Sequence, residues 1–198
     1  MFKSRRTLFL QESNESILLA AYAAEMREWD NRNHLKRIRD YAFSLCTALD
    51  IPRAEAEMTA VACQLHDIGK AATPDELLKR QGQYQEEEWQ IMERHTLDGE
   101  AMLKDSVSPL LRMAASIALM HHERWDGSGY PNGLSGEQIP LTARICALAD
   151  VFDALTTARS YKQQPMDDEN AFDLVQRSAG SLFDPRIIEA FVEIYPDL

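Results

Sequence analysis

The stretch His-His-Glu-Arg-Trp-Asp-Gly-Ser-Gly-Tyr-Pro, residues 121–131, ends an apolar helical run and leads directly into a glycine-rich turn. Adjacent histidines at the end of a helix are poor core residues, because each adds a polar ring that must find a hydrogen-bond partner. Metal coordination would satisfy both rings at once. The stretch therefore predicts a metal site, whose remaining ligands must come from elsewhere along the chain.

Length and composition indicate one globular domain. The chain has 198 residues, of which 45% are hydrophobic and 27% are charged, as in ordinary proteins of this size. Its formal net charge of −11 argues against a broad nucleic-acid-binding surface. No apolar run reaches the roughly 18 residues of a membrane span, and the apolar segment after the basic start is too short for a signal peptide. We expect a cytoplasmic protein that binds neither nucleic-acid polymers nor membranes.

The three cysteines, Cys46, Cys63 and Cys146, stand singly within apolar helical segments and form no Cys-x-x-Cys pair. This pattern is typical of buried free thiols in a reducing compartment. A catalytic or redox role is the less favoured interpretation.

Helical patterns fill the chain, whereas strand signals are nearly absent. A long glycine-rich loop is expected at residues 127–140, and no linker divides the chain. The predicted fold class is therefore all-α. Helices are expected at 16–29 and 34–49, over a segment from Met58 to His66 closed by Gly69, from within 73–76, at 85–104, from Pro109 to His121, and at 141–157, 167–179 and 185–194.

All five histidines and two aspartates fall within or at the ends of these helices. A lone histidine on an apolar face is more often a core residue than a ligand, but seven such polar residues are costly to bury without a shared partner. A dinuclear metal site would satisfy them together. Imidazole and carboxylate donors without thiolate favour iron, manganese, zinc or cobalt over calcium. The candidate ligands are His34, His66, Asp67, His95, His121, His122 and Asp150.

Two motifs connect this pattern to a known family. His66-Asp67-Ile68-Gly69-Lys70 is a His-Asp signature extended by glycine and lysine, and Gly129-Tyr130-Pro131 lies in the glycine-rich turn. With both, the chain resembles the HD-GYP domain, a subgroup of the HD metal-dependent phosphohydrolases. The resemblance runs from about Glu25 to the C-terminus and includes Ile139-Pro140, residues 143–145, 149–156 and 159–162, and Phe183-Asp184-Pro185.

The resemblance implies a five-helix HD core with additional C-terminal helices and no significant sheet. We expect the HD-GYP domain at residues 15–198, preceded by an N-terminal segment or linker remnant at 1–14. The implied activity is hydrolysis of the bacterial second messenger cyclic di-GMP to linear pGpG, to GMP, or to both. The seven candidate ligands would hold two divalent ions, with iron or manganese preferred.

The resemblance also implies roles for individual residues. Asp67 would bridge the two ions, and a water or hydroxide between them would be the nucleophile. Lys70 would hold a phosphate oxygen and offset charge in the transition state, so Asp67 and Lys70 are the catalytic candidates. The substrate contacts would come from Lys70, Gly129, Tyr130, Arg159 and Lys162.

Two further assignments concern support of the site. Asp153, one helical turn after Asp150, would orient a metal ligand or Lys70. Residues 124–126 would brace the glycine-rich loop.

The match departs from the family before His34. Some members hold a third metal through a glutamate four residues before the first histidine, where this chain has Asp30. The Thr-Gly that usually follows is replaced by Asn31-Arg32. Asp30 is thus the candidate ligand of a third ion, with an exposed acidic pair as the alternative. We expect two ions.

Two other functions remain open from the sequence. The chain could be a signalling module of low activity that binds a cyclic dinucleotide, or docks onto a diguanylate cyclase domain through residues 127–136. It could instead hydrolyse another cyclic dinucleotide, because the phosphate chemistry is better defined than the base pocket. A homodimer is a further candidate assembly.

Overall fold

The computed structural model describes residues 5–28, 33–80, 82–157 and 165–197. These residues contain α-helices and short 3₁₀ turns but no strand, apart from a single bridge between Ala179 and Phe183. The all-α prediction is confirmed. Asp30, Arg159 and Lys162 lie outside the described residues, so their predicted roles stay predictions.

Ten α-helices make up the described part of the chain. They are α1 (Arg5–Glu28), α2 (His34–Ala48), α3 (Arg53–Cys63), α4 (Asp75–Leu78), α5 (Glu86–Glu93), α6 (His95–Leu103), α7 (Pro109–Met120), α8 (Leu141–Thr156), α9 (Asp168–Arg177) and α10 (Pro185–Ile194). A 3₁₀ turn, Ile68–Ala72, follows α3, and another, Gly136–Gln138, lies in the long loop.

The core lies between α2, α3, α7 and α8, which pack against one another. Apolar residues at helical spacing supply it, including the fully buried Ile38, Leu45, Ile117 and Ile145. The C-terminal pair α9 and α10 packs onto α8 and α2, and α6 packs onto α7. This arrangement leaves the ends of several helices together at one end of the core.

The first helix is longer than predicted. α1 begins at Arg5 rather than near Ser16, because neither glycine nor proline occurs before its end at Glu28. It therefore crosses the expected boundary between residues 14 and 15. That domain boundary itself stays a prediction.

The third helix is shorter than predicted. α3 ends at Cys63, so His66 lies in the turn that follows the helix and not on its last apolar stripe. Gly69 lies inside the 3₁₀ turn and does not close the helix. This turn places the His-Asp motif at the end of α3 and not along its side.

The prediction of one continuous helix at 85–104 is wrong, since the segment divides at Arg94 into α5 and α6. The side chain of His95 donates a hydrogen bond to the carbonyl of Met92 over 2.6 Å. The hydroxyl of Thr96 donates to the carbonyl of Glu93 over 2.8 Å. Local side-chain donors compete with the backbone for these carbonyls, which interrupts the helix and turns His95 toward the core.

The three cysteines are buried and unpaired with one another, as predicted. Burial raises the pKa of Cys46 to about 12 and that of Cys146 well above its ordinary value. Both thiols are therefore protonated at neutral pH and unreactive.

Among the described residues, no helix combines the length and the apolar character needed to cross a membrane. Residence in the cytoplasm stays a prediction.

Gly69→Ala should destabilise the fold, because the 3₁₀ turn approaches α6 at backbone contact. A Cβ added at Gly69 would lie 1.9 Å from the carbonyl oxygen of His95 and 2.5 Å from the amide nitrogen of Gly99. Backbone atoms cannot rotate away, so we expect a loss of at least about 2 kcal/mol in the free energy of unfolding, measured by urea denaturation. Gly99→Ala is the control, since a Cβ added at Gly99 would have the Cβ of Ala118 as its nearest contact, at 3.0 Å. This variant should lose less free energy of unfolding than Gly69→Ala. Equal midpoints for the two variants would contradict this packing.

Candidate metal centre

The seven predicted ligands come together at one end of the helical core. His34 and His95 are the first residues of α2 and α6, and Asp150 lies within α8. The pair 66–67 occupies the turn after α3, and the pair 121–122 follows α7. Five separate parts of the chain therefore contribute to a single cluster.

The cluster consists of two groups of residues, and within each group the candidate ligand atoms all lie within 4.8 Å of one another. One group contains Asp67, His95, His121 and His122, and the other contains His34, His66 and Asp150.

The carboxylate of Asp67 lies between the two groups. Its Oδ2 is 3.2 Å from the Nε2 of His66, on one side. Its Oδ1 is 3.3 Å from the Nε2 of His95 and 3.6 Å from the Nε2 of His121, on the other side. Asp67 thus presents one oxygen to each group, which is the geometry of a carboxylate that can bridge two ions.

Three histidines are held in the tautomer that a metal requires. The Nδ1 of His66 donates to the carbonyl of Cys63 over 2.9 Å, and His95 donates to Met92 in the same way. The Nδ1 of His121 donates to the carbonyl of Ala118 over 3.0 Å. Because Nδ1 carries the proton, each Nε2 is left with a lone pair aimed into the cluster.

These lone pairs fit a cation. The Nε2 atoms of His95 and His121 are 3.4 Å apart, and the two lone pairs repel each other unless a positive charge lies between them. Within the described residues, the buried Nε2 of His66 and the buried Oδ1 of Asp67 have no hydrogen-bond partner. Buried polar atoms are rarely left in this condition, so the residues present fit a metal centre.

Burial and charge set the protonation of the cluster. Burial lowers the pKa of His95 to about 4 and that of His122 well below its ordinary value, so both rings are neutral donors. Burial alone would raise the pKa of Asp67, but Lys70 and His66 hold it well below the usual range.

His66 behaves differently from the other histidines. Burial alone would lower its pKa, but the negative charges of Asp67, Asp150 and Glu25 raise the pKa to about 10. The surrounding carboxylates therefore favour a positive charge at the Nε2 of His66, and a metal ion bound to its lone pair would supply that charge in place of a second ring proton.

Asp153 orients His34. Its carboxylate is fully buried, accepts from the Nδ1 of His34 over 2.7 Å, and pairs with Arg37. Of the two roles predicted for Asp153, the structure therefore places it beside a candidate ligand and not beside Lys70. The role of Arg37 was not predicted from the sequence, although its position one helical turn after His34 on α2 indicated that the two side chains lie side by side.

Lys70 reaches the cluster from the 3₁₀ turn. Its ammonium lies 2.8 Å from the Oδ2 of Asp67, and its side chain is mostly buried. Arg27 of α1 holds this turn in place by donating to the carbonyls of Lys70 and Ala71 over 3.0 and 2.7 Å. Arg27 was not identified from the sequence.

Glu25 is a further acidic residue that sequence reasoning missed. Its Oε1 lies 3.8 Å from the Nε2 of His34, and burial raises the pKa of its carboxyl. A signal was present in the sequence, because Glu25 shares a buried helix stripe with Ala21 and Ala24. An acidic residue on such a stripe needs a partner.

The glycine-rich loop folds directly onto the cluster. The ring of Tyr130 stacks on that of His122, with centroids 4.7 Å apart, and its amide donates to the carbonyl of His122 over 3.2 Å. Gly129 makes this approach possible, since an added Cβ would lie 2.4 Å from the amide nitrogen of Arg124. Burial raises the pKa of the Tyr130 hydroxyl, which stays protonated.

Two sets of contacts hold the loop. The buried carboxylate of Glu123 accepts from the amides of Asn132 and Leu134 over 2.7 and 3.0 Å, a role not foreseen from the sequence. Within the predicted brace, the amides of Trp125 and Asp126 donate to the carbonyls of residues 182 and 181. The loop is thus fixed on one side by Glu123 and on the other by the segment between α9 and α10.

Comparison with known proteins relates this arrangement to a family. A family model described as an HD domain matches residues 14–187. Cyclic di-GMP phosphodiesterase response regulator RpfG of Xanthomonas campestris is 42% identical over 183 residues, which are 92% of this chain and 48% of that protein. 3'3'-cGAMP-specific phosphodiesterase 2 of Vibrio cholerae is 40% identical over 183 residues, which are 92% of this chain and 35% of that protein. The chain therefore spans half or less of the length of these curated relatives.

A solved structure has the same fold. The cyclic GMP-AMP specific phosphodiesterase V-cGAP3 of V. cholerae aligns with a TM-score of 0.69 at 18% identity, over 93% of this chain and 49% of that chain. At this identity the likeness concerns the fold alone. Since the family model covers most of the chain, and both the His-Asp and the Gly-Tyr-Pro motifs occur in it, the chain belongs to the HD domain family and, within it, to the HD-GYP group.

Proposed function

We propose that this chain is a metal-dependent phosphodiesterase that hydrolyses cyclic di-GMP to pGpG, to GMP, or to both. The observation that carries the proposal is the carboxylate of Asp67, which presents one oxygen to each of two ligand groups. The names of the relatives support a cyclic dinucleotide as the substrate class. The alternatives are a binding module of low activity and hydrolysis of 3'3'-cGAMP.

The seven clustered residues would hold two divalent ions, with iron or manganese preferred by their nitrogen and oxygen donors. Two such ions supply Lewis-acid activation of water and of the phosphodiester. A third ion at Asp30 is a separate candidate, and two ions per chain is the proposed content.

The chain's own residues would bind and orient the substrate. Lys70 places a positive charge beside Asp67, where it can hold a non-bridging phosphate oxygen and stabilise developing negative charge. Gly129 gives close access to the backbone of the loop, and Tyr130 offers an aromatic face beside His122. Arg159 and Lys162 are proposed as further contacts to the nucleotide.

The direct test uses reduced, metal-loaded protein and separates the candidate functions. Incubation with cyclic di-GMP should yield pGpG or GMP, detected by chromatography. Competition with 3'3'-cGAMP would identify the preferred substrate. Measurable binding without product would instead favour the module, in which case a diguanylate cyclase domain or a second copy of the chain becomes the partner to look for.

Asp67→Ala should remove both metal and activity, because the variant lacks the oxygen atoms that face both ligand groups. His66→Ala should have the same effect. Metal analysis of anaerobically purified protein is expected to give two ions per chain for the wild type and none for Asp67→Ala. Turnover by a metal-free Asp67→Ala protein would refute the mechanism, and three ions per wild-type chain would refute the proposed content.

Lys70→Ala should leave the metal content unchanged and slow hydrolysis about a hundredfold, the scale of losing one charge-stabilising donor. Steady-state kinetics measures the effect, and Lys70→Arg should recover part of the rate. Lys79→Ala is a suitable control, since Lys79 is an exposed lysine paired with Asp75. A normal rate in Lys70→Ala would assign Lys70 to structure alone.

Asp153→Asn should weaken metal binding about tenfold to a hundredfold, because His34 loses the carboxylate that fixes its tautomer and ring orientation. Competition with a coloured chelator measures the affinity, and circular dichroism checks that the variant is folded. Asp40→Asn provides the control, since Asp40 is an exposed acid on the same helix α2 and pairs with Lys36. Unchanged affinity in a folded Asp153→Asn protein would contradict the orienting role.

A further inference from the structure

A row of aromatic rings leads outward from the candidate metal centre. It begins at His122, on which the ring of Tyr130 stacks. Trp89 of α5 meets Tyr130 edge to face, with ring centroids 6.3 Å apart. Tyr84 lies 6.0 Å from Trp89 and continues the row. Neither Trp89 nor Tyr84 belongs to the motifs that define the site.

Trp89 is fixed in position but remains open to water. Gln85 and Glu88 form a capping box at the start of α5, and Glu88 also pairs with Arg80. The hydroxyl of Tyr84 donates to the carbonyl of Leu77 over 3.1 Å, which anchors the neighbouring ring. Even so, Trp89 is 42% exposed, which is high for a residue that gains much from burial.

We propose that Trp89 is a stacking platform for a purine base of the bound cyclic dinucleotide, an inference that rests on the proposed phosphodiesterase function. A base is joined to each phosphodiester through one sugar. When one phosphodiester lies at the metal centre, the adjoining base must lie a short distance from His122. The exposed indole is in that zone, with Tyr130 between it and the metal centre.

Stacking on an indole face has two consequences for kinetics. It does not read the hydrogen-bonding edge of the base, so guanine and adenine are held about equally well. It also acts equally in the ground state and in the transition state, because the base does not change during hydrolysis of the phosphodiester. Loss of the platform should therefore raise KM and leave kcat nearly unchanged.

The test compares Trp89→Ala and Trp89→Phe with the wild type, using metal-loaded protein. Trp89→Ala should raise KM for cyclic di-GMP about tenfold to a hundredfold, the range measured for loss of base–aromatic stacking. Its kcat should stay within about threefold of the wild type, and its metal content should be unchanged. The KM of Trp89→Phe should lie between those of the wild type and Trp89→Ala. The KM for 3'3'-cGAMP should rise by a similar factor.

Ile91→Ala is the matched control. Ile91 is 43% exposed on the same helix, two residues further along and therefore on another face. The KM of Ile91→Ala should equal that of the wild type. An unchanged KM in Trp89→Ala would overturn the inference, and so would a fall in kcat or metal content without a rise in KM, since the ring would then only support the Tyr130 loop.

A binding measurement keeps this inference separate from the proposed function. Calorimetry with a non-hydrolysable phosphorothioate analogue of cyclic di-GMP gives Kd whether or not the wild type turns over. If the wild type binds the analogue but yields no product, the proposed hydrolysis fails, and a weaker Kd in Trp89→Ala still supports the platform. Equal Kd values in the wild type and Trp89→Ala would overturn the platform even in an active enzyme.

Discussion

The site depends on one repeated interaction, a hydrogen bond from a histidine Nδ1 to the carbonyl three residues earlier. His66, His95 and His121 all make it. In each case the carbonyl belongs to the last turn of a helix, namely α3, α5 or α7. Carbonyls in a last turn lack a partner within their own helix. The same bond thus completes the helix end and turns Nε2 inward.

Electrostatics follow from this geometry. Helix ends contribute partial charges of both signs, because the C-termini of α3, α5 and α7 and the N-termini of α2 and α6 lie at the cluster. The carboxylates of Asp67 and Asp150 add full charges at the same place. The chain therefore gathers negative potential and neutral nitrogen donors in a buried region, which is unfavourable for folding alone and favourable for divalent cations.

The C-terminal helices α9 and α10 stabilise the glycine-rich loop more than the metal ligands. Arg144 of α8 lies over the ring of Trp125 and pairs with Asp184, the residue that caps α10. Arg186 of α10 reaches Glu137 in the loop over 2.9 Å. These contacts fix the outer side of the loop while Glu123 fixes its inner side, so Tyr130 is positioned from two directions.

Local sequence signals predicted much of this structure. The helices predicted from Pro109 to His121, at 167–179 and at 185–194 agree closely with α7, α9 and α10. The division at Arg94 was not predictable from periodicity, because it arises from side chains bonding backward to carbonyls across an otherwise helical pattern. Trp89 was missed for a related reason, since its role depends on Tyr130, a residue far along the chain. Glu25 was missed although it shares a buried helix stripe with Ala21 and Ala24.

The charge of the chain makes substrate affinity depend on metal under the proposed function. The net charge of −11 repels an anionic nucleotide at long range. Within the cluster, the carboxylates of Glu25, Asp67 and Asp150 outnumber the one ammonium of Lys70. Two divalent ions would reverse this local balance to net positive, which suits a ligand with two phosphodiester charges. The aromatic row contributes no charge, so base stacking and phosphate binding are separable in this site.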